Sequence, residues 1–465
     1  MSDRSLFDNV SPLDHRYSRG EGFEEYSRYF SERARITYQA RVEAALVQGW
    51  ARRGLCPEAA AEEVARAADR ITVEEVYQEE EKTRHDVRGL VNCLQRKVNR
   101  EVRPLIHLTA TSYDIVDTAN SLRYQEANRE LVIPVLTRLE EQLMEIALRE
   151  KSTLQIGRTH GQHAVPLTFG FALAEYVSRL GGRLLEIKKQ GNRLKGKLSG
   201  AVGAYNAGSL LLEDPQRFEE EVLAELGLEP SPHSTQIVEP EFMVDYIHTL
   251  VSCFGVLANM ADDLRHLQRT EIMETGEYFA EDQVGSSTMP HKRNPINYEN
   301  VKSMWKQFMP RMMTLYQDQL SEHQRDLTNS ASGRFVPEIV IGLLLSARRL
   351  TRVLSRLGVD ENNLQENFRS NAGLIGAEPL YILLAYHGHP QAHEAVRKLT
   401  LEAEESGKTL VELVQNNEQL AEYWQQLTEE QQQVIKNPEQ YTGRAEAKTE
   451  EIVAYWRQKL SPGSD

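Results

Sequence analysis

Beyond Pro240 the apolar residues Ile247, Leu250, Val251, Phe254, Leu257, Met260, Leu264 and Leu267 recur at spacings of three and four, with Asp262, Asp263, Arg265 and His266 between them. A 3.6-residue repeat turns such positions onto one stripe, so the spacing predicts a single amphipathic helix of about 25 to 35 residues, roughly 40 to 50 Å long at 1.5 Å per residue. Two further runs repeat the pattern: Leu136, Leu139, Leu143 and Ile146 before an expected turn at Gly157, and Leu173, Val177, Leu180, Leu184 and Ile187 after Pro166. A fourth begins beyond Pro337 and passes through Leu343, Leu350 and Leu354 to an expected C-cap at Gly358. Strand signals are limited to short β-branched pieces near Ile237 and Val238.

Several helices well above the usual length in one chain predict a mainly α fold, with an elongated bundle of long helices as its core. Smaller helical domains are expected on either side: an N-terminal one over 1–118, the bundle over 119–370 and a charged C-terminal one over 371–465. The stretch LTEEQQQ at 427–433 reads as a solvated helix face.

Composition narrows the partners. With 54 basic and 69 acidic residues the formal charge is −15, and no block of like charge forms a tail, so neither a nucleic-acid surface nor an anionic membrane surface is expected. A local cationic pocket for a small anion remains compatible with that total. Apolar stretches such as 339–345 fall short of the roughly 18 to 20 residues of a membrane span. The opening MSDRSLFDNV lacks the pattern of a secretory signal. Cys56, Cys93 and Cys253 are too few for a disulfide framework and fit a reducing, cytoplasmic compartment.

Candidate chemistry concentrates in GSSTMPHKRNPINYEN, residues 285–300. Two serines after a glycine, two prolines, and Lys292, Arg293 and Asn294 side by side describe a donor-rich loop able to close over an anion. By composition alone such a segment is an ordinary solvated loop. Its order of residues, however, resembles the signature of the fumarase/aspartase superfamily: Ser-Ser-x-Met-Pro-x-Lys-x-Asn with a glutamate five residues after the asparagine, each position met through Glu299. The His-Lys-Arg filling before Asn294 is similar to that of the adenylosuccinate lyases. SPLDHRYS, TRHDV (83–87), TSYDIVDTA (111–119), GRTHGQHAVP (157–166), SGAVGAYNAG (199–208), STQI (234–237) and QRDLTNSASGR (324–334) resemble the remaining elements of that family in order. His15 and Gly333 depart from its usual residues.

The resemblance implies a reaction and a division of labour. A succinyl group leaves nitrogen as fumarate, which requires a base for the carbon-bound proton and an acid for the departing nitrogen. Ser286 is then the base, acting under a closed loop, with Lys292 and Asn294 stabilising charge on the substrate carboxylate. His160 is the acid, held in orientation by Glu299, and His85 is the alternative acid. His163 is expected to support rather than act. Arg84, His85 and Asp86 bind the nucleotide, and Arg16 and Tyr17 grip it, arginine suiting a phosphate because its planar fork donates two parallel hydrogen bonds. Thr111, Ser112 and Gln236 serve the fumaryl carboxylates. Arg325, Ser330 and Arg334 contact nucleotide or phosphate, and Ser287, Arg293 and Asn300 are secondary contacts.

By the same resemblance the substrates are adenylosuccinate and the succinylaminoimidazole carboxamide ribotide intermediate, with no metal and no organic cofactor. The assembly is a homotetramer with shared active sites, consistent with helices that expose more apolar face than one subunit covers. The rivals are a superfamily lyase acting on an amino acid or argininosuccinate, and a noncatalytic scaffold of the same fold. The extra cations around Arg84 and Arg325 argue against the first, and the presence of Ser286, His160, Lys292 and Glu299 together argues against the second.

Overall fold

The computed structural model describes residues 9–19, 22–278, 288–289, 291–370 and 372–461. The described chain is mainly α-helical, as expected. The helix after Pro240 spans Glu241–Leu267, 27 residues, and the other three long runs become Ile133–Arg149, Phe169–Asn192 and Val336–Leu354. Residues 429–436, within and just beyond LTEEQQQ, form a short helix capped by Thr428, with most of its side chains exposed or half-buried.

Two compact units divide the chain, each assembled from three separate segments. The first comprises Met1–Thr137, Gly182–Leu257 and Ser303–Arg348, and the second Arg138–Gly181, Ala258–Lys302 and Arg349–Asp465. The division runs through the long helices themselves, since Ile133–Arg149, Phe169–Asn192, Glu241–Leu267, Ile296–Phe308 and Val336–Leu354 all contribute residues to both. Residue 118 lies inside the helix Ser112–Ala127.

In the first unit, Ile36, Ala40, Val47, Val64, Leu90 and Leu94 form a core between the helices of the 32–96 region. A second cluster stacks Trp50 on Phe218, with ring centroids 4.3 Å apart. Gly49 makes room for it: a Cβ there would sit 2.4 Å from Val222 and 2.9 Å from Phe218. The helix Ser112–Ala127 does not stop but passes through a π-helical turn at Asn128–Val132 into Ile133–Arg149. Such a turn adds one residue to the repeat, and here it precedes Pro134, whose missing N–H already breaks the ladder. Asn128 is buried at this point, donating to the Ile187 carbonyl at 3.2 Å and accepting from the Tyr246 hydroxyl at 3.2 Å.

In the second unit, Leu380, Leu384, Val396, Leu399, Leu413, Val414 and Trp424 form a core among the helices between 377 and 436. Its other feature was not anticipated. Gly157 and Pro166, expected as helix punctuation, lie inside the antiparallel strands Leu154–Thr159 and Gln162–Thr168. Gly157 marks a register irregularity between Ile156 and Arg158, where a Cβ would approach the Val165 carbonyl to 2.7 Å. Gly358 likewise is no cap, since it pairs with Gly276 in a two-residue antiparallel ladder. Ile237 and Val238 belong to no strand; both side chains are buried and the Val238 N–H donates to Asp117 at 3.0 Å. Finally, Glu241–Leu267 is long and apolar enough to cross a membrane, although 61% of its apolar window is buried within the protein.

Candidate active site

The first unit gathers part of the candidate set around one cavity of about 650 Å³. Its wall includes Arg84, His85, Asp86, Ser112, Gln236, Ser330 and Arg334, drawn from four segments well separated along the chain. Local structure explains how each arrives there. Arg84 ends the helix Val73–Thr83 in the left-handed conformation, φ 53°, which turns the chain so that His85 can cap the next helix, Asp86–Arg96. His85 Nδ1 accepts the Arg88 N–H at 3.3 Å, leaving Nε2 toward the Ser112 hydroxyl at 3.5 Å. With Nδ1 engaged as an acceptor, the neutral ring carries its hydrogen on Nε2. Asp86 accepts its neighbour's N–H at 2.8 Å and meets Arg35 at 3.4 Å and Arg334 at 3.9 Å.

Ser112 opens a helix whose start is fixed from below. Asp114 accepts the Thr111 N–H at 2.8 Å and the Gly200 N–H at 3.2 Å, and it pairs with Lys197. Both charged side chains are fully buried, and Lys197 also donates to the Gly200 carbonyl at 3.1 Å. Thus the TSYD segment and the SGAVG segment are tied by one ion pair. Thr111 itself is not on the cavity wall, and neither are Arg16, which is exposed, and Tyr17. Arg325 lies over the Tyr113 ring at 5.7 Å, its three guanidinium nitrogens buried without a hydrogen-bond partner among the described residues. Gln236 is anchored through its own N–H to the Gln324 carbonyl at 3.3 Å.

Asp117 lines the same wall but belongs to none of the motif positions singled out from the sequence. Burial pushes its carboxyl up to about 6, against the opposing pull of the Val238 N–H and of Lys197 and Arg325. Arg123 also escaped notice, because a lone arginine between Leu122 and Tyr124 in a helix carries no motif.

The second unit holds the other candidates. His160 and Gly161 are the two-residue turn between the strands, with φ of 56° and 74°, the paired positive values that a right-twisted hairpin prefers. The hairpin base is held by the buried Glu274, which accepts from Arg158 at 2.5 and 3.1 Å, Gln155 at 2.8 Å and Asn367 at 2.9 Å. His160 is therefore an exposed imidazole on a braced tip. Beside it, burial and the charge of Arg158 lower the pKa of His163.

Lys292 and Arg293 are exposed, and Asn294 is half-buried ahead of the helix Ile296–Phe308. That helix start is pinned by Glu277, which accepts the Asn297 and Tyr298 N–H groups at 2.9 and 3.0 Å and the Asn297 side chain at 2.6 Å. Gln268 bridges the two ends of the loop, accepting from the Glu277 N–H at 3.0 Å and donating to the Arg293 carbonyl at 3.4 Å. Glu299 is exposed and Asn300 half-buried on the first turn. The expected His160–Glu299 contact is not made: neither side chain has a hydrogen-bond or ion-pair partner among the described residues. Ser286 and Ser287 lie outside the described residues.

A family model described as Lyase matches residues 17–309, and one described as Adenylosuccinate lyase C-terminal matches residues 321–442. The chain is 36% identical over 453 residues to the adenylosuccinate lyase of Pyrococcus abyssi, covering 96% of this chain and 98% of that protein. It is 35% identical over 451 residues to the adenylosuccinate lyase of Methanothermobacter thermautotrophicus, again covering 96% and 98%. Among solved structures, 3-carboxy-cis,cis-muconate lactonizing enzyme from Pseudomonas putida superposes with a TM-score of 0.81 at 25% identity, covering 94% of this chain and 98% of that one. A fumarate lyase from Mesorhizobium sp. BNC1 superposes with a TM-score of 0.81 at 23% identity, covering 93% and 97%, a likeness of fold.

Proposed function

The chain belongs to the adenylosuccinate lyase family, and from that premise we propose that it eliminates fumarate from adenylosuccinate, leaving AMP, and from succinylaminoimidazole carboxamide ribotide, leaving the carboxamide. The observation that carries the reading is the 650 Å³ cavity, a volume in the range of small-molecule sites, whose wall joins Arg84, His85, Asp86, Ser112, Gln236, Ser330 and Arg334. Arginines suited to phosphate stand there beside hydroxyl and amide donors suited to carboxylates.

In the proposed reaction Ser286 removes the proton from the succinyl carbon next to a carboxylate, the C–N bond breaks, and His160 protonates the departing nitrogen. Lys292 and Asn294 hold the negative charge that develops on the carboxylate while the carbanion forms, which is why no metal or organic cofactor is called for. The cap that His85 forms supports giving the acid role to His160. Protonating His85 Nδ1 would forfeit its bond from the Arg88 N–H, whereas His85 as a neutral ring donates from Nε2. Arg16, Tyr17, Arg325, Ser330 and Arg334 take the nucleotide and its phosphate, Thr111, Ser112 and Gln236 the fumaryl carboxylates, and Ser287, Arg293 and Asn300 the periphery.

We further propose a homotetramer with sites shared between subunits, in the cytoplasm, free of nucleic acid and membrane. Exposed, and unpaired among the described residues, His160 and Glu299 are each available to a group from another subunit. The free cysteines and the largely buried helix Glu241–Leu267 are compatible with that setting.

The test is to supply adenylosuccinate, argininosuccinate and aspartate in parallel and to follow AMP and fumarate by chromatography. AMP and fumarate from adenylosuccinate alone are expected; fumarate only from another substrate would overturn the nucleotide assignment. Ser286→Ala should abolish turnover while AMP still binds. Mixing inactive Ser286→Ala and His160→Ala proteins should restore part of the activity if sites are shared, and no restoration would refute the shared tetramer.

A further inference from the structure

We propose that Arg123 is a further substrate-binding residue, which receives an oxyanion of the substrate, phosphate or carboxylate, at the inner wall of the cavity. This rests on the lyase reading above.

Arg123 sits eleven residues beyond Ser112 on the helix Ser112–Ala127, and it is only 5% exposed. Burying a guanidinium costs several kcal/mol unless a counter-charge and hydrogen bonds replace its water. Among the described residues Arg123 has neither: its Nε is buried without a partner, and no carboxylate pairs with it. The Tyr124 ring lies 5.2 Å from its guanidinium carbon.

The acids nearby are already committed. Glu32 accepts from Arg35 at 2.6, 2.9 and 3.0 Å and from the Tyr77 hydroxyl at 2.8 Å. Arg35 in turn leans to Asp86 at 3.4 Å, where Arg334 also reaches at 3.9 Å. Burial accordingly weighs against the charged form of Arg123, yet an arginine stays protonated.

Arg123 also borders a smaller cavity of about 150 Å³, which shares Asp117, Asn120, Asn329 and Gly333 with the large one. Asp117, Glu239 and Asp318 face that smaller space, each holding a donor of its own: the Val238 N–H at 3.0 Å, the Ser231 hydroxyl at 2.8 Å and the Ser332 hydroxyl at 2.7 Å. Among the described residues Arg123 is the one lysine or arginine on that smaller lining, whereas the large cavity sets Arg35, Arg84 and Arg334 beside Arg123 against Glu32, Glu80, Asp86 and Asp117, so the oxyanion belongs on the large-cavity side of Arg123. A planar fork without a counterion binds such a group bidentately, and an uncharged analogue would leave the cation unpaired and be rejected.

The experiment compares full-length wild type with Arg123→Met and Arg123→Lys. Thermal midpoints are measured without ligand and with AMP, inorganic phosphate and fumarate in turn, alongside kcat and KM for adenylosuccinate. Methionine keeps the length and apolar stem, and it breaks no ion pair, so the ligand-free midpoint should hold or rise. KM should rise about tenfold, with the loss expressed in KM more than in kcat, and lysine should recover part of it. Loss of the upward shift given by AMP and phosphate assigns a phosphate to Arg123, and loss of the shift given by fumarate assigns a carboxylate; either supports the proposal. Retention of wild-type KM and of every ligand shift would overturn it, as would a ligand-free midpoint that falls, which marks a structural role. If wild type cleaves no adenylosuccinate, the substrate assignment fails separately. Phosphate and fumarate shifts in wild type against Arg123→Met then still decide the oxyanion site, and identical shifts, or none in either protein, overturn it.

Discussion

Replacing Lys197 by methionine removes one half of a fully buried ion pair and leaves the other half in place. The Asp114 carboxylate would lose the Lys197 ammonium but keep two backbone donors, the Thr111 N–H at 2.8 Å and the Gly200 N–H at 3.2 Å. Gly200 would lose the bond to its carbonyl at 3.1 Å. Breaking a buried pair from one side costs about 3 to 5 kcal/mol because the survivor is an uncompensated charge. Since two amide dipoles still point at Asp114, the loss belongs at the lower end, about 3 kcal/mol. Adding Asp114→Asn to Lys197→Met removes the orphaned charge and should return about 1 to 2 kcal/mol, giving a double-mutant cycle with clear coupling. Urea unfolding at one fixed protein concentration, followed by tryptophan fluorescence, measures all four proteins. Because the pair also sets the start of the helix bearing Ser112, turnover of Lys197→Met should fall even well below its unfolding midpoint. A loss under about 1 kcal/mol, or effects that simply add, would refute the reasoning.

Two further expectations concern pH. Burial opposes charge on the His107 ring, but its contact of 2.7 Å with the wholly buried Glu43 and the charge of that carboxylate outweigh it and raise the pKa above 6.5. A raised histidine pKa contributes stability that is complete below the ordinary value and is lost as pH climbs through the folded one. The urea midpoint should therefore decline above about pH 6.5, and Glu43→Gln should flatten that decline; an unchanged slope would disprove the link. Glu140, buried with both oxygens lacking a partner among the described residues, is pushed by burial up to about 9, so the folded protein keeps it neutral. Its contribution is likewise lost as pH rises from its ordinary value through that point, and Glu140→Met should raise the midpoint most at alkaline pH. Equal gains at pH 6 and pH 9 would speak against it.

The long helices were legible because a 3.6-residue repeat over several turns has no competing reading: Pro240 marked where Glu241–Leu267 begins, and its apolar stripe carried it to Leu267. The hairpin around His160 was not, because Gly157 and Pro166 punctuate helices and bulged strands alike. Ile237 and Val238 show the converse. Their β-branched side chains are buried in a segment that pairs with no strand and satisfies its Val238 N–H through Asp117. Nothing in TSYDIVDTANSLRYQEANRELVIP signals that the helix begun at Ser112 continues through a π-turn and a proline. For the site, motifs located the residues that stand at helix starts and turn tips, such as His85, Ser112 and His160. Arg123 and Asp117 lie within a helix, and only the cavity gives them meaning.

Each unit is stitched from three stretches of chain, so neither exists as a cuttable fragment. Growing from its first residue, the polypeptide can close the core over 36–106 early, for its parts are local, and the core over 380–435 is equally self-contained. The first unit as a whole must wait for residue 348 of 465, and the second for the segment after it. Until then the helix Glu241–Leu267 has left the ribosome without its later partners, such as Trp305 beside Gly255 and Lys302 on Asp262. The chain is therefore built to consolidate from its two ends toward its middle, and its vulnerability to aggregation falls in the interval of synthesis between those events.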